Sequence, residues 1–308
     1  MQLLLFLLMA FTFMSSVGAI IFGVFTKLTG FLPAQLAGIH PGSPAALIKA
    51  TIVVQGVQNM FVYMLPALTF AYLAHPEPAA YLGLRKPGKS IQILLAVLLM
   101  TGAMPMLIMI ENWMGLINFG KDIKAAQAAN DNVFKAFLQM NSFVDFLRVF
   151  VVVAIIPAIG EELFFRGVLM RFARKRSRTM VFPIMFTAVV FSYSHANIYG
   201  YLSIFLAGVL LAVIYNLTGS IWCSIAGHLF FNGTQITLHY LGGTDGAVKT
   251  FLDNNTVPYS IVAAGALLFG ASLYLLIRYR TPLPPNWSDD FTPDELSRLP
   301  GSNTGNLF

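Results

Sequence analysis

Eight apolar stretches, each near the length of a membrane-crossing helix, divide this chain and leave little of it for anything else. They cover roughly residues 4–26, 47–74, 91–111, 145–165, 180–196, 201–217, 221–240 and 258–278. A helix needs about 20 mostly apolar residues to cross the hydrocarbon layer. Composition agrees: 57% of residues are hydrophobic and 10% are charged, whereas a soluble domain carries roughly 25% charged residues. The expectation is an all-α, polytopic transmembrane bundle of about eight spans. The first stretch, MQLLLFLLMAFTFMSSVGAIIFGVF, has no positive region ahead of it and exceeds a signal-peptide core, so it reads as a span. The lone Cys223 excludes an intrachain disulfide and reads as a buried small hydrophobe.

The formal charge of +6 comes from basic residues between the apolar stretches, so it reads as a topology signal and no nucleic-acid partner is expected. Arg85, Lys86 and Lys89 follow the second stretch, Arg171, Arg174, Lys175, Arg176 and Arg178 the fourth, and Arg278 and Arg280 the eighth. Even numbers of spans separate these clusters, which puts all of them on the cytoplasmic side of a cell membrane with both termini inside. The loop with Lys121, Asp122, Lys124, Asp131 and Lys135 is nearly balanced, and the one with Asp245, Lys249 and Asp253 is acidic, as outer loops should be. Seven spans would break this pattern. Residues 121–142 read as a surface helix leading into the fourth span. One transmembrane domain is expected over 1–280, with its polar motifs in 145–240. The segment 281–308 is expected to be a cytoplasmic tail with a short helix capped at Thr292-Pro293-Asp294-Glu295.

The informative residues are ionisable ones inside the apolar stretches, where each costs about 2.5–3.5 kcal/mol to insert. Gly160-Glu161-Glu162-Leu163-Phe164-Phe165-Arg166-Gly167 stands at the end of the fourth span as delimited above. Glu162 and Arg166 are four apart on one helix face and can neutralise each other. Glu161 is turned away by about 100° and is left for chemistry. Phe191-Ser192-Tyr193-Ser194-His195 ends the fifth span, and His228 to Asn232 lies in the seventh. A carboxylate can serve as base or metal ligand, a histidine as base, ligand or oxyanion donor, and an asparagine as a hydrogen-bonding group. His40 and His75 lie in or at loops, and His239 near the outer edge of the seventh span. No GxSxG, HExxH, Walker or CxxC motif is present, and Ser192 and Ser194 form no serine dyad.

These three clusters resemble the CAAX-protease and bacteriocin-processing (CPBP, or Abi) family, which includes the type II CAAX prenyl endopeptidases. Its motifs EExxxR, FxxxH and HxxxN stand here at Glu161–Arg166, Phe191–His195 and His228–Asn232. The resemblance covers about a third of the chain, and the first three spans carry no matching motif. It implies an eight-helix intramembrane endopeptidase that hydrolyses a peptide bond with an activated water. It assigns Glu161 and His195 to water activation, His228 and Asn232 to the oxyanion, and Glu162 and Arg166 to a supporting role. The cofactor is none or Zn2+. In the zinc scheme, the metalloprotease of the family's frequent naming, Glu161, His195 and His228 would be the ligands. The implied partners are a peptide or protein substrate, which in some relatives is lipid-modified, and membrane lipid.

Two other readings compete. A membrane scaffold, immunity or regulatory protein could keep the family fold without catalysis. A transporter could line its path with the same charges, but the polar residues are confined to one half of the chain. One conflict of depth stands: Glu161 falls at the inner end of its span and His195 at the outer end of its own.

Overall fold

The computed structural model describes residues 2–20, 23–24, 26–242, 257–284 and 287–289. Among them it is helical without strands. The main helices are α1 (Gln2–Ile20), α2 (Ala45–Ala74), α3 (Ile91–Gly115), α4 (Lys121–Phe137), α5 (Phe143–Arg174), α6 (Val181–Ser194), α7 (Tyr201–Thr218), α8 (Ile221–Gly242) and α9 (Tyr259–Arg278). Every expected span has its helix, and α4 is the expected surface helix. Among the described residues, five helices are both long and apolar enough to cross a membrane: α2, α3, α5, α7 and α9. The apolar part of α1 and the whole of α6 are shorter. Ser224, His228, Asn232 and Gln235 interrupt the apolar run of α8. About eight spans is thus the architecture. The acidic loop at 245–253 and the expected helix at Thr292–Glu295 lie outside the described residues.

Two boundaries move, and both matter. Helix α5 does not stop at 165 but runs on to Arg174, so Glu161 sits inside it. Glu161 is thirteen residues before Arg174, about 20 Å along the axis, and His195 is fourteen after Val181, about 21 Å. The two helices are joined by a short turn at 175–180, so equal axial distances bring the two residues to one depth. The conflict of depth disappears because the charged run belongs to the helix rather than to a loop. Arg171, deep in that run, remains buried, with its guanidinium 4.1 Å from the Tyr81 ring centroid and 5.0 Å from that of Trp287.

The basic clusters gather at one end of the bundle, as the even spacing of spans requires. Arg171 Nη2 donates to Tyr81 O at 2.7 Å, and Ser220 Oγ to Arg85 O at 2.6 Å. Gln92 Nε2 donates to Tyr279 O at 2.9 Å, and Thr281 N to Leu217 O at 2.9 Å. Phe6 near the start of α1 packs on Phe70 and Phe172, toward the same end. Around the sides, large apolar residues such as Leu8 and Phe11 on α1, Phe182 on α6 and Leu267 and Tyr274 on α9 are exposed. A soluble protein rarely exposes so much contiguous apolar surface, and lipid is the environment that covers it.

Two helices change register for a reason written in the sequence. The segments Met60–Met64 in α2 and Phe150–Ile155 in α5 are π-helical, and each is followed two positions later by a proline, Pro66 and Pro157. A proline in a helix removes one N–H and its ring collides with the carbonyl four residues back. Widening the preceding turn to the π register relieves both problems without breaking the helix. These two widened turns flank the polar residues discussed below, and a third π segment, Leu163–Leu169, follows the glutamate pair with no proline after it in α5.

Helices α3 and α9 meet through Gly102 and Gly265. A Cβ at Gly102 would lie 2.5 Å from the backbone N of Phe269, and one at Gly265 would lie 2.8 Å from Gly102 O. Backbone atoms cannot yield as a flexible side chain can, so small residues are required at this crossing. Gly102→Val should cost about 1–3 kcal/mol of stability through overpacking. It should lower the thermal unfolding temperature of the detergent-solubilised protein, whereas Gly115→Ala, in open space, should not.

Candidate active site

Helix α5 carries Glu161, Glu162 and Arg166 in the middle of the bundle, all three buried. The expected i,i+4 pair is present: Arg166 Nη1 donates to Glu162 Oε1 at 2.7 Å. Arg166 Nη2 donates to the carbonyl of Gly208 on α7 at 2.8 Å, and its guanidinium lies 4.9 Å from the centroid of the Phe191 ring on α6. Glu162 gathers two further donors from α8. Ser224 Oγ donates to its Oε2, and His228 Nδ1 to its Oε1 at 2.9 Å. This carboxylate therefore ties α5 to α8, while Arg166 ties α5 to α6 and α7.

Glu161 is treated differently. Its Oε1 accepts from Asn59 Nδ2 on α2 at 3.2 Å. Its Oε2 is buried and has no hydrogen-bond partner. That oxygen is 3.9 Å from His195 Nε2 and 3.9 Å from His228 Nε2. The tautomers follow from the opposite ring nitrogens. His195 Nδ1 lies 2.7 Å from Phe191 O, which can only accept, and His228 Nδ1 faces the Glu162 carboxylate. Both Nδ1 atoms therefore carry protons, and in the neutral rings both Nε2 lone pairs point toward Glu161 Oε2. His195 remains about a third exposed, with 32% of its side chain accessible, so the site is reachable from outside the protein.

Phe191 explains why an aromatic precedes the histidine by one helical turn. Its ring packs on Phe165, on His195 and on His228, with centroids 5.2, 4.6 and 5.9 Å away. Its carbonyl orients the His195 ring from behind. Beyond His195 the chain turns at Ala196, whose φ is +50°. The Ala196 carbonyl accepts from Asn130 Nδ2 on the surface helix α4 at 3.1 Å.

The structure thus brings Glu161, Glu162, Arg166, His195 and His228 together. Asn232 lies one turn beyond His228 and points to the same helix as Glu161, but its Nδ2 donates to Val153 O at 3.4 Å. Ser192 and Ser194 are spent on the carbonyls of Tyr201 and Phe191. His239 is exposed and bonded to Gln235 O, away from the cluster. The second span contributes to the site as well. Asn59 reaches Glu161, and Tyr63, one turn on, packs against Phe164 and Phe165. The signal was legible as Gln55-Gly56-Val57-Gln58-Asn59, three amides inside an apolar run, where polar groups mark interior or functional faces.

The zinc expectation meets a geometric test. Zinc binds nitrogen and oxygen ligands at about 2.0–2.2 Å, which puts tetrahedral ligand atoms about 3.3 Å apart. Both separations from Glu161 Oε2 are 3.9 Å. Among the described residues, no group of three or more His, Cys, Asp and Glu is arranged to hold a metal ion. As placed, Glu161 Oε2 stands farther from the two Nε2 atoms than in a tetrahedral zinc set.

The buried pair generates a prediction. Glu162→Ala leaves a guanidinium without its counter-charge, and Arg166→Ala does the same to a carboxylate. Removing one partner of a buried pair costs about 3–5 kcal/mol. Both variants should show lower yield and a lower unfolding temperature in detergent as well as lost activity. Normal thermal stability of Glu162→Ala would contradict the role given to this pair.

Comparison with known proteins gives one finding. Residues 143–234 match the model of the family described as type II CAAX prenyl endopeptidase Rce1-like. No curated protein and no solved structure matches the chain. The matched segment begins with α5 and ends just past Asn232, so it contains all three motifs and every residue gathered around Glu162. Over this segment, residues 143–234, the chain is similar to the type II CAAX prenyl endopeptidase Rce1-like family, consistent with the CAAX-protease resemblance of its three motifs.

Proposed function

We propose that this protein is an intramembrane endopeptidase of CAAX-protease type, in which Glu161 activates a water to hydrolyse a peptide bond. The observation that carries the reading is the bare, buried Oε2 of Glu161 with two imidazole nitrogens at 3.9 Å. Groups at that separation are too far apart to bond directly, and one oxygen about 2.8 Å from each fits between them. A water held there donates to Glu161 and to His195. Glu161 takes its proton as the oxygen attacks the scissile carbonyl carbon. The tetrahedral oxyanion then accepts from His228 Nε2–H and from the amide of Asn232. The long bond from Asn232 to Val153 O, 3.4 Å, is one the amide exchanges readily for an anion. Collapse returns the proton from Glu161 to the leaving nitrogen, and one water is consumed per bond broken.

Charge balance supports the role of His228. Glu161, Glu162 and Arg166 together carry one net negative charge in a buried cluster. A proton on His228 Nε2, with Nδ1–H already on Glu162, brings that sum to zero and makes the ring an oxyanion donor. Glu162 then serves as counter-charge to both Arg166 and His228. The basic end of the bundle is assigned to the cytoplasm by the positive-inside rule. The substrate class is a peptide or protein segment, lipid-modified or not, that reaches His195 from the membrane side.

The test uses protein purified in detergent, a farnesylated CAAX peptide, and the same peptide without its lipid. Loss of a general base costs about 10²–10⁴-fold in rate, so Glu161→Ala and His195→Ala should each fall by that order with at least one peptide. Unchanged release in both variants would overturn the assignment and leave the non-catalytic reading of the fold. Activity should survive exhaustive chelation. Stoichiometric zinc in the purified protein, with loss of activity on removing it and return on adding it back, would restore the zinc scheme.

A further inference from the structure

We propose that Asn59 is a positioning residue for Glu161, fixing the carboxylate so that Oε2, and not Oε1, faces the two imidazoles. Its effect on rate rests on the peptidase reading above, whereas its effect on the Glu161 carboxyl rests on geometry alone. Asn59 lies outside the family-matched segment, on a helix without a motif. Its side chain is buried, and Nδ2 donates to Glu161 Oε1 at 3.2 Å. The opposite amide orientation would set Oδ1 against a carboxylate oxygen, two acceptors with no proton between them, so the donor assignment follows from the chemistry.

Three observations separate this contact from ordinary packing. First, Asn59 Oδ1 is buried without a hydrogen-bond partner. A half-satisfied amide is a poor choice for stability, because a buried acceptor left unpaired loses its hydration for nothing. An aliphatic side chain of the same size would fill the space at less cost. Second, Asn59 is the last residue before the π segment Met60–Met64, whose register follows from Pro66. Widened turns of this kind recur at functional sites. Third, the approach is close because residue 160 is glycine. A Cβ at Gly160 would lie 3.3 Å from both Asn59 Oδ1 and Met64 Cβ. The glycine beside the glutamate pair is what lets α2 come within hydrogen-bond reach.

The physical consequence concerns one torsion. A glutamate carboxylate turns freely about its last bond, which has a broad, two-fold profile. One donor anchored on Oε1 fixes the plane and leaves the other oxygen aimed at His195 Nε2 and His228 Nε2. The charged and titratable groups around Glu161 are Glu162 and Arg166 on its own helix, Tyr63 on α2, His195 after α6 and His228 on α8. Asn59 is neutral among them, so it orients the carboxylate without adding charge.

The experiment compares wild type, Asn59→Leu, Asn59→Asp and Glu161→Ala, using the farnesylated CAAX peptide. Asn59→Leu should keep or raise the unfolding temperature while kcat falls about 10-fold and KM stays within two-fold, the pattern of a group acting on the chemical step. Asn59→Asp is isosteric but donates only when protonated. It should approach wild-type turnover at acidic pH and lose it on the alkaline side, adding a limb to the profile that Asn59→Leu lacks. Unchanged kcat in Asn59→Leu, or kcat and unfolding temperature falling together in both Asn59 variants, would overturn the proposal. A second readout needs no substrate. Labelling of Glu161 by dicyclohexylcarbodiimide, which reacts with protonated carboxyls in apolar surroundings, should be at least three-fold faster in Asn59→Leu than in wild type. Equal labelling rates would also overturn it. If Glu161→Ala retains full activity while labelling still responds to Asn59, the peptidase reading fails and the contact stands.

Discussion

Glu162 and Arg166 put two full and opposite charges inside an apolar bundle, and the surrounding helices are arranged to satisfy them. Neither side chain has measurable exposure. An ion pair alone seldom repays its lost hydration. Here Ser224 and His228 from α8 and the Gly208 carbonyl from α7 take up further hydrogen bonds of the pair, while Arg166 Nε is left without one. The Phe191 ring covers the guanidinium from α6. One buried pair thereby fixes four helices relative to one another. It also fixes the ring of His228, which donates to the same carboxylate oxygen as Arg166. The stability of the bundle and the geometry of its site are one set of hydrogen bonds.

Glu161 precedes Glu162 in sequence and has the opposite fate. Adjacent residues on a helix point about 100° apart. When Glu162 is committed to Arg166, Glu161 must face the gap between α2, α6 and α8. There its carboxylate meets one donor on one oxygen and two imidazoles opposite the other. The two glutamates divide the work by direction rather than by type.

The helices were legible because lipid imposes length and apolarity on every span. The Glu162–Arg166 contact was legible because four-residue spacing is a local property of a helix. The grouping of Glu161, His195 and His228 was not a local property: one acid and two histidines in a charge-poor bundle suggested it, and the resemblance gave each its role. The missed boundary of α5 has a clear cause. Arg166, Arg171 and Arg174 look like loop charges by hydropathy, yet Arg166 and Arg171 are buried, paired with a carboxylate and stacked on aromatic rings. Hydropathy scores a residue against solvent and cannot see a partner. Asn59 was missed for the opposite reason: three uncharged amides, Gln55, Gln58 and Asn59, do not bring a 30-residue helix below the hydropathy of a span.

The shortness of α6 bears on how water reaches the site. Its 14 residues rise about 21 Å, well short of the roughly 30 Å hydrocarbon layer of a typical bilayer. Lipid beside it must thin or the turn at His195 must lie beneath the level of the head groups, as for any segment shorter than its membrane. Either way the polar turn at 195–200, where Asn130 of the surface helix donates to Ala196 O, is the part of this span on which membrane thickness bears. A thicker bilayer would then press on the turn that follows His195.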